Sequence, residues 1–167
     1  MTTLATATSG FIGLQQADRL LAEGEAFIGI DNFRPYYLPQ LKEDRIAELN
    51  RRHGDHFVIL PVDFADRQTL DVALNPHRFD RIAHLGAQPG VRYSIENPHV
   101  YAHSNLTGHL TLPEVARARR VPMVHASSSS VYGGNIKLPF SEDDRSTSRV
   151  AVRSDPALKR ADERGLF

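Results

Sequence analysis

Thr3-Leu4-Ala5-Thr6-Ala7-Thr8-Ser9-Gly10-Phe11-Ile12-Gly13, followed by Asp31 eighteen positions beyond Gly13, is the stretch that decides the fold. The run Thr3–Thr8 reads as a weak strand and gives way at Ser9-Gly10 to a helix over Phe11–Glu23. In that helix Ile12, Ala17, Leu20 and Leu21 form one apolar stripe. Gly24 supplies the stop, and Ala26–Ile30 reads as a second strand ending at Asp31. Each part of this order suits a bound dinucleotide. Gly10 lets the backbone approach a pyrophosphate, and Gly13 lets the helix pack closely on the sheet. The helix N-terminus offers N–H groups and a positive dipole end, and a carboxylate about 20 residues on receives the ribose hydroxyls. A lone G-x-x-G is a weak signal; its placement between strand and helix carries the reading. The competing reading is a glycine-softened turn with a capping or loop aspartate. A carboxylate at that point repels a 2′-phosphate and favours NAD over NADP, with Arg34 nearby acting the other way.

Outward from this unit the same alternation continues. Pro35 and Pro39 bound a loop, Leu41–Arg52 reads as a helix closed by Gly54, and Phe57–Leu60 as a third strand. A short helix over Asp66–Leu74 and a fourth strand over Arg81–Leu85 follow. After a loop, His99–Arg119 reads as one long helical stretch that Pro113 should kink or split. Val121–Ala126 is a fifth strand running into a serine cluster. Strands and helices in strict alternation predict an α/β fold: an open, doubly wound parallel Rossmann-type sheet in the order 3-2-1-4-5, with right-handed crossovers. The character changes from Asp144, where Arg145, Arg149, Arg153, Arg160 and Arg164 recur and Phe167 is the only aromatic. Pro156 could open a last helix over Ala157–Arg164 with little to pack against. The expected division is a nucleotide-binding domain over 1–144 and a degenerate tail or partial helix over 145–167.

Bulk composition narrows the function classes. At 167 residues the chain supports one domain that buries roughly 70% of its unfolded surface. Twenty basic and twenty acidic residues cancel, so no net field draws the chain to nucleic acid or an anionic membrane. Cysteine is absent, which excludes disulfides, thiolate metal sites and cysteine nucleophiles, and suits the cytoplasm. No apolar run approaches the roughly 18 residues of a membrane span. The N-terminus lacks a basic segment followed by a hydrophobic stretch, so no leader peptide is expected. His99 and His103 have the i,i+4 spacing of metal ligands but no convincing third partner; they read as solvated surface histidines, and no metal is expected. The tail arginines interleave with Asp155, Asp162 and Glu163, the pattern of a solvated segment rather than of a phosphate site.

Several longer blocks carry a resemblance. Thr6-Ala7-Thr8-Ser9-Gly10-Phe11-Ile12-Gly13 resembles the T-G-x-x-G-F-I-G loop of extended short-chain dehydrogenase/reductases. The blocks that narrow it are Asp31-Asn32 with Tyr36-Tyr37, His84 through Ser94, Ser127–Ser130 with Val131-Tyr132-Gly133, and Lys137 through Glu142. Together they are similar to UDP-glucuronate 4-epimerases of the NAD-dependent epimerase/dehydratase family. The likeness runs to about Asp144, and the family is about twice this length, with a C-terminal substrate domain expected to be absent here. The resemblance implies that Gly10, Phe11, Ile12 and Gly13 hold the pyrophosphate of NAD. It places the adenosine ribose on Asp31 with Asn32 beside it, adenine at Asp63, and the nicotinamide side at Leu85, Gly86, Ala87 and Gln88. Asn105 would sit behind the cofactor, and Ser128 and Lys159 would belong to the catalytic Ser/Thr-Tyr-Lys set. In the family, a tyrosine acidified by lysine takes the proton from the sugar 4-hydroxyl, and the cofactor carries the hydride. A UDP-sugar is the implied partner.

Three departures qualify that expectation. Ala7 stands where the loop has its first glycine, and its Cβ must fit a tight turn. The Y-x-x-x-K motif is missing: aligning Lys159-Arg160-Ala161-Asp162-Glu163 with the family's K-K-A-N-E places Asp155 at the tyrosine, and an ungapped count places Arg153 there. No tyrosine follows Tyr132. The third departure is the substrate domain. Catalysis by this chain alone is therefore expected to be impaired. The rival readings are a non-catalytic nucleotide-binding or interaction module, and a truncated product without stable function. The family's homodimer, built on the helices after strands four and five, is put in doubt by Pro113 and the altered tail.

Overall fold

The computed structural model describes residues 1–132 and 137–143. Five parallel strands form one sheet in the order β3-β2-β1-β4-β5. They are β1 (Thr2–Thr6), β2 (Ala26–Ile30), β3 (Phe57–Leu60), β4 (Arg81–His84) and β5 (Met123–His125). Register is regular, with Leu4 opposite Ile28 on one side and Ile82 on the other. The predicted order and parallel sense are those observed.

Successive strand residues point to opposite faces, and each face has its own core. Leu4, Ile28, Ile30 and Ile82 pack on one side with Leu70, Leu74, Leu112 and Val115. These come from α3 (Arg67–Leu74) and α6 (Gly108–Arg119). Ala5, Phe27 and Ala83 point the other way, against Ala17, Leu21 and Leu49. Those belong to α1 (Phe11–Ala22) and α2 (Pro39–His53). Leu4, Ile30, Leu70 and Leu112 are fully buried. Each such side chain contributes about 2 kcal/mol by leaving water. Gly24 and Gly54 end α1 and α2 with positive φ, and Asp66 caps α3 by accepting from the Thr69 N–H at 3.1 Å.

Three elements differ from the sequence reading. β1 stops at Thr6 rather than Thr8 because Ala7 turns to φ 57°, outside the strand region. The loop after β4 contains a short helix, α4 (Val91–Glu96), whose six residues are too few to show a period. The long helical stretch is interrupted upstream of Pro113. α5 (Pro98–Ala102) runs into a wide π-helical turn at His103–Thr107, where the Gly108 N–H reaches the His103 carbonyl, before α6 resumes. Pro113 lies inside α6, which is continuous across it. Among the described residues no helix is long and apolar enough to cross a membrane.

Candidate functional site

The carboxyl ends of β1, β2 and β4 open onto a cleft of about 410 Å³, at the point where the strand order reverses. Its floor is the turn after β1. Ala7 adopts the left-handed conformation, and its carbonyl accepts the Gly10 N–H at 2.9 Å. A Cβ on Gly13 would stand 2.1 Å from that same oxygen, and one on Gly10 at 2.9 Å. Only glycine fits at position 13. No side chain caps the first turn of α1, so its N–H groups face the cleft unclaimed by a side-chain cap. Glycine cradle, uncapped helix start and lining together fit the pyrophosphate of a dinucleotide.

At the end of β2, Asp31 is 6% exposed. Its Oδ2 accepts the Ser9 N–H at 3.1 Å and its Oδ1 the Phe33 N–H at 2.9 Å. Lys42 Nζ lies 3.4 Å from Oδ1. From the same helix, Arg45 donates to the Ser9 carbonyl at 3.0 Å and to the Tyr37 hydroxyl at 3.1 Å. Helix α2 thus ties the loop after β1 to the Asp31 carboxylate. Asp63, just past β3, accepts from Asn32 Nδ2 at 3.0 Å and from the Ala65 N–H at 2.9 Å, with His103 Nε2 at 3.1 Å. Burial pushes the Asp63 carboxyl up, and the hydrogen bonds from Ala65, His103 and Asn32 outweigh it and hold the group below its ordinary value.

The far wall is the segment after β4. Thr6 Oγ1 accepts the Leu85 and Gly86 N–H groups at 3.1 and 2.8 Å and lies 2.8 Å from His84 Nδ1. Asn105, in the π-helical turn, clamps the Gln88 backbone from both sides: Oδ1 accepts the Gln88 N–H at 2.7 Å, and Nδ2 donates to its carbonyl at 3.0 Å. The wide turn brings this amide inward, and the clamp fixes the wall.

Of the residues expected at the site, Gly10, Phe11, Ile12, Gly13, Asp31 and Asn32 line one end of this cleft, and Leu85, Gly86, Ala87 and Gln88 the other. Asp63 stands behind Asn32, and Asn105 behind Gln88. Ser128 lies beyond β5, where its carbonyl accepts the Val131 N–H at 3.0 Å; it does not line the cleft. Lys159, Arg153, Asp155, the tail helix and the tail arginines lie outside the described residues. His103, read as a solvated surface histidine, is 42% exposed at its side chain and pairs with Asp63 at 3.1 Å. Among the described residues no group of three histidines or carboxylates could hold a metal. Lys42 and Arg45 were not foreseen, and Tyr37 and Thr6 were singled out only as parts of longer sequence blocks, without a role. The only sequence signal for the first two is their i,i+3 spacing on α2, which reads equally well as an exposed face.

The sequence model of the family described as GDP-mannose 4,6 dehydratase matches residues 4–151. A probable UDP-glucuronate 4-epimerase from Rhizobium meliloti is 44% identical over 89% of this chain and 43% of its own. UDP-glucuronate 4-epimerase 4 of Arabidopsis thaliana is 39% identical over 98% of this chain and 37% of its own. The solved UDP-glucuronic acid 4-epimerase of Bacillus cereus, in complex with UDP-glucuronic acid and NAD, superposes with a TM-score of 0.79 at 28% identity, over 98% of this chain and 50% of that one. The chain spans less than half the length of these two curated relatives. It belongs to the NAD-dependent epimerase/dehydratase family.

Proposed function

We propose that this chain is the NAD-binding domain, over residues 1–144, of a UDP-sugar 4-epimerase of the UDP-glucuronate type, impaired in catalysis as it stands. The observation that carries the cofactor reading is the glycine cradle at Ala7–Gly13 opposite Asp31, within one cleft. The backbone N–H groups at the start of α1 bind the pyrophosphate, Asp31 and Asn32 take the adenosine ribose, and Asp63 stands toward adenine. Leu85 through Gln88 shape the nicotinamide end, held by Thr6 and Asn105. When bound, NAD supplies hydride transfer; the protein supplies binding and orientation. Ser128 is the surviving hydroxyl of the catalytic set, and Lys159 its lysine. The absence of any tyrosine after Tyr132 removes the phenol that would take the sugar proton. An aspartate or arginine in its place does not reproduce a phenol poised by lysine.

Thermal melting with and without NAD tests the cofactor half of this reading, because a ligand that binds only the folded state raises the midpoint. Conversion of UDP-glucuronate to UDP-galacturonate tests the other half, and the expected result is no turnover by this chain. An unshifted melt at millimolar NAD would sink the first, and measurable turnover the second.

A further inference from the structure

Three imidazoles stand in a row beside the start of the Leu85–Gln88 wall. His84, at the end of β4, is 5.1 Å from His109 of α6, and His109 is 5.0 Å from His125 of β5, centroid to centroid. His84 also meets the Phe64 ring edge-on at 5.3 Å. It is 3% exposed and does not line the cleft, so packing fixes its ring one residue before the wall begins. What sets His84 apart from the other two is the hydroxyl at its Nδ1.

A hydroxyl has one proton to donate and two lone pairs that accept. Thr6 Oγ1 spends both lone pairs on amides that can only donate, those of Leu85 at 3.1 Å and Gly86 at 2.8 Å. Thr6 is 0% exposed, so solvent cannot take its proton. Its third neighbour is His84 Nδ1 at 2.8 Å. Two protons cannot share that line, so the hydroxyl donates and Nδ1 accepts. We infer that His84 is held as the neutral Nε2–H tautomer and, in this form, is a positioning residue for the cleft wall. By taking the Thr6 proton, Nδ1 leaves both oxygen lone pairs aimed at the Leu85 and Gly86 amides, where the wall starts. Without an acceptor there, the hydroxyl would turn its proton to another oxygen and release one of the two amides. A buried amide left unsatisfied costs enough to shift the backbone that carries it. The tautomer stands on hydrogen bonding alone; its effect on NAD rests on the cofactor reading above.

Long-range proton–nitrogen NMR of the isotope-labelled whole chain at about pH 8, where histidine is neutral, reads the tautomer directly. The His84 signals are those lost in His84→Asn. The expected result is a bare Nδ1 and a protonated Nε2. A proton on Nδ1, or rapid exchange between the two forms, would overturn the inference. Two variants read the positioning: His84→Leu removes the acceptor, whereas His84→Asn can place an amide oxygen where Nδ1 stood. Solvent exchange of the Leu85 and Gly86 amides should speed up by about tenfold or more in His84→Leu and stay within about threefold of wild type in His84→Asn. NAD affinity should fall in the same order. Equal effects in the two variants would overturn the positioning role, since the ring would then act only through packing. A folded wild type that binds no NAD would sink the cofactor reading, while tautomer and amide exchange still decide this inference. Should His84→Leu not fold, the wild-type tautomer and the exchange in His84→Asn decide.

Discussion

Ala7 concentrates the strain of the loop after β1 in one dihedral angle. Its φ of 57° is the conformation that glycine adopts freely and that costs other residues about 1–2 kcal/mol. Ala7→Gly should therefore raise stability by about 1 kcal/mol and tighten NAD, read by thermal melting and by titration. A melt that moves down would mean that the loop is held by something other than this turn. Asp63 yields a pH prediction. Its folded carboxyl titrates below the ordinary value, so its contribution to stability is complete above about pH 4 and is lost as pH falls through the folded value. Asp63→Asn should flatten the acid loss of stability in that window and leave the neutral limb parallel to wild type. The residues around these two show what the sequence concealed. Gly13 and Asp31 are legible because their types are unusual in a strand-helix-strand setting. Lys42 and Arg45 are not, because a cation on an amphipathic helix reads as solvated until Tyr37 and Asp31 are seen beside it.

At the scale of elements, the stretch from β4 to β5 decides how rigid the Leu85–Gln88 wall of the cleft is. The π-helical turn at His103–Thr107 breaks the 3.6-residue period and turns the Asn105 amide onto the Gln88 backbone. Gln88 is 5% exposed, so Asn105→Ala leaves a buried N–H and a buried carbonyl unsatisfied. The expected cost is about 2 kcal/mol in denaturant melts, with a weaker NAD affinity. A variant as stable as wild type would show that water replaces the amide without penalty. The strands were readable from the sequence because each is a short apolar run bounded by glycine, proline or a polar residue. The wide turn was not, because nothing in His103-Ser104-Asn105-Leu106-Thr107 departs from an ordinary helical pattern. Pro113 drew the expected break to itself, yet α6 passes through it and the interruption falls earlier.

For the whole molecule, the two cores and the sheet order give a scaffold whose cleft at the carboxyl ends of β1, β2 and β4 lies within the described residues. Membership of the NAD-dependent epimerase/dehydratase family follows from the match over residues 4–151. The proposed division of labour is a retained cofactor cleft with a lost phenol, and it predicts that supplying Asp155→Tyr, or Arg153→Tyr, leaves turnover of UDP-glucuronate undetectable by this chain alone. A phenol alone supplies no substrate orientation, and proton transfer without orientation gains little. Detectable epimerisation by either variant would show that orientation is already supplied. The central claim is that the cleft between the glycine loop, Asp31 and the Leu85–Gln88 wall holds NAD. Isothermal titration of the folded chain with NAD tests it most directly: the account predicts one saturable site per chain with a dissociation constant below about 1 mM, and a cooperative melter that gives no heat at millimolar NAD would contradict it.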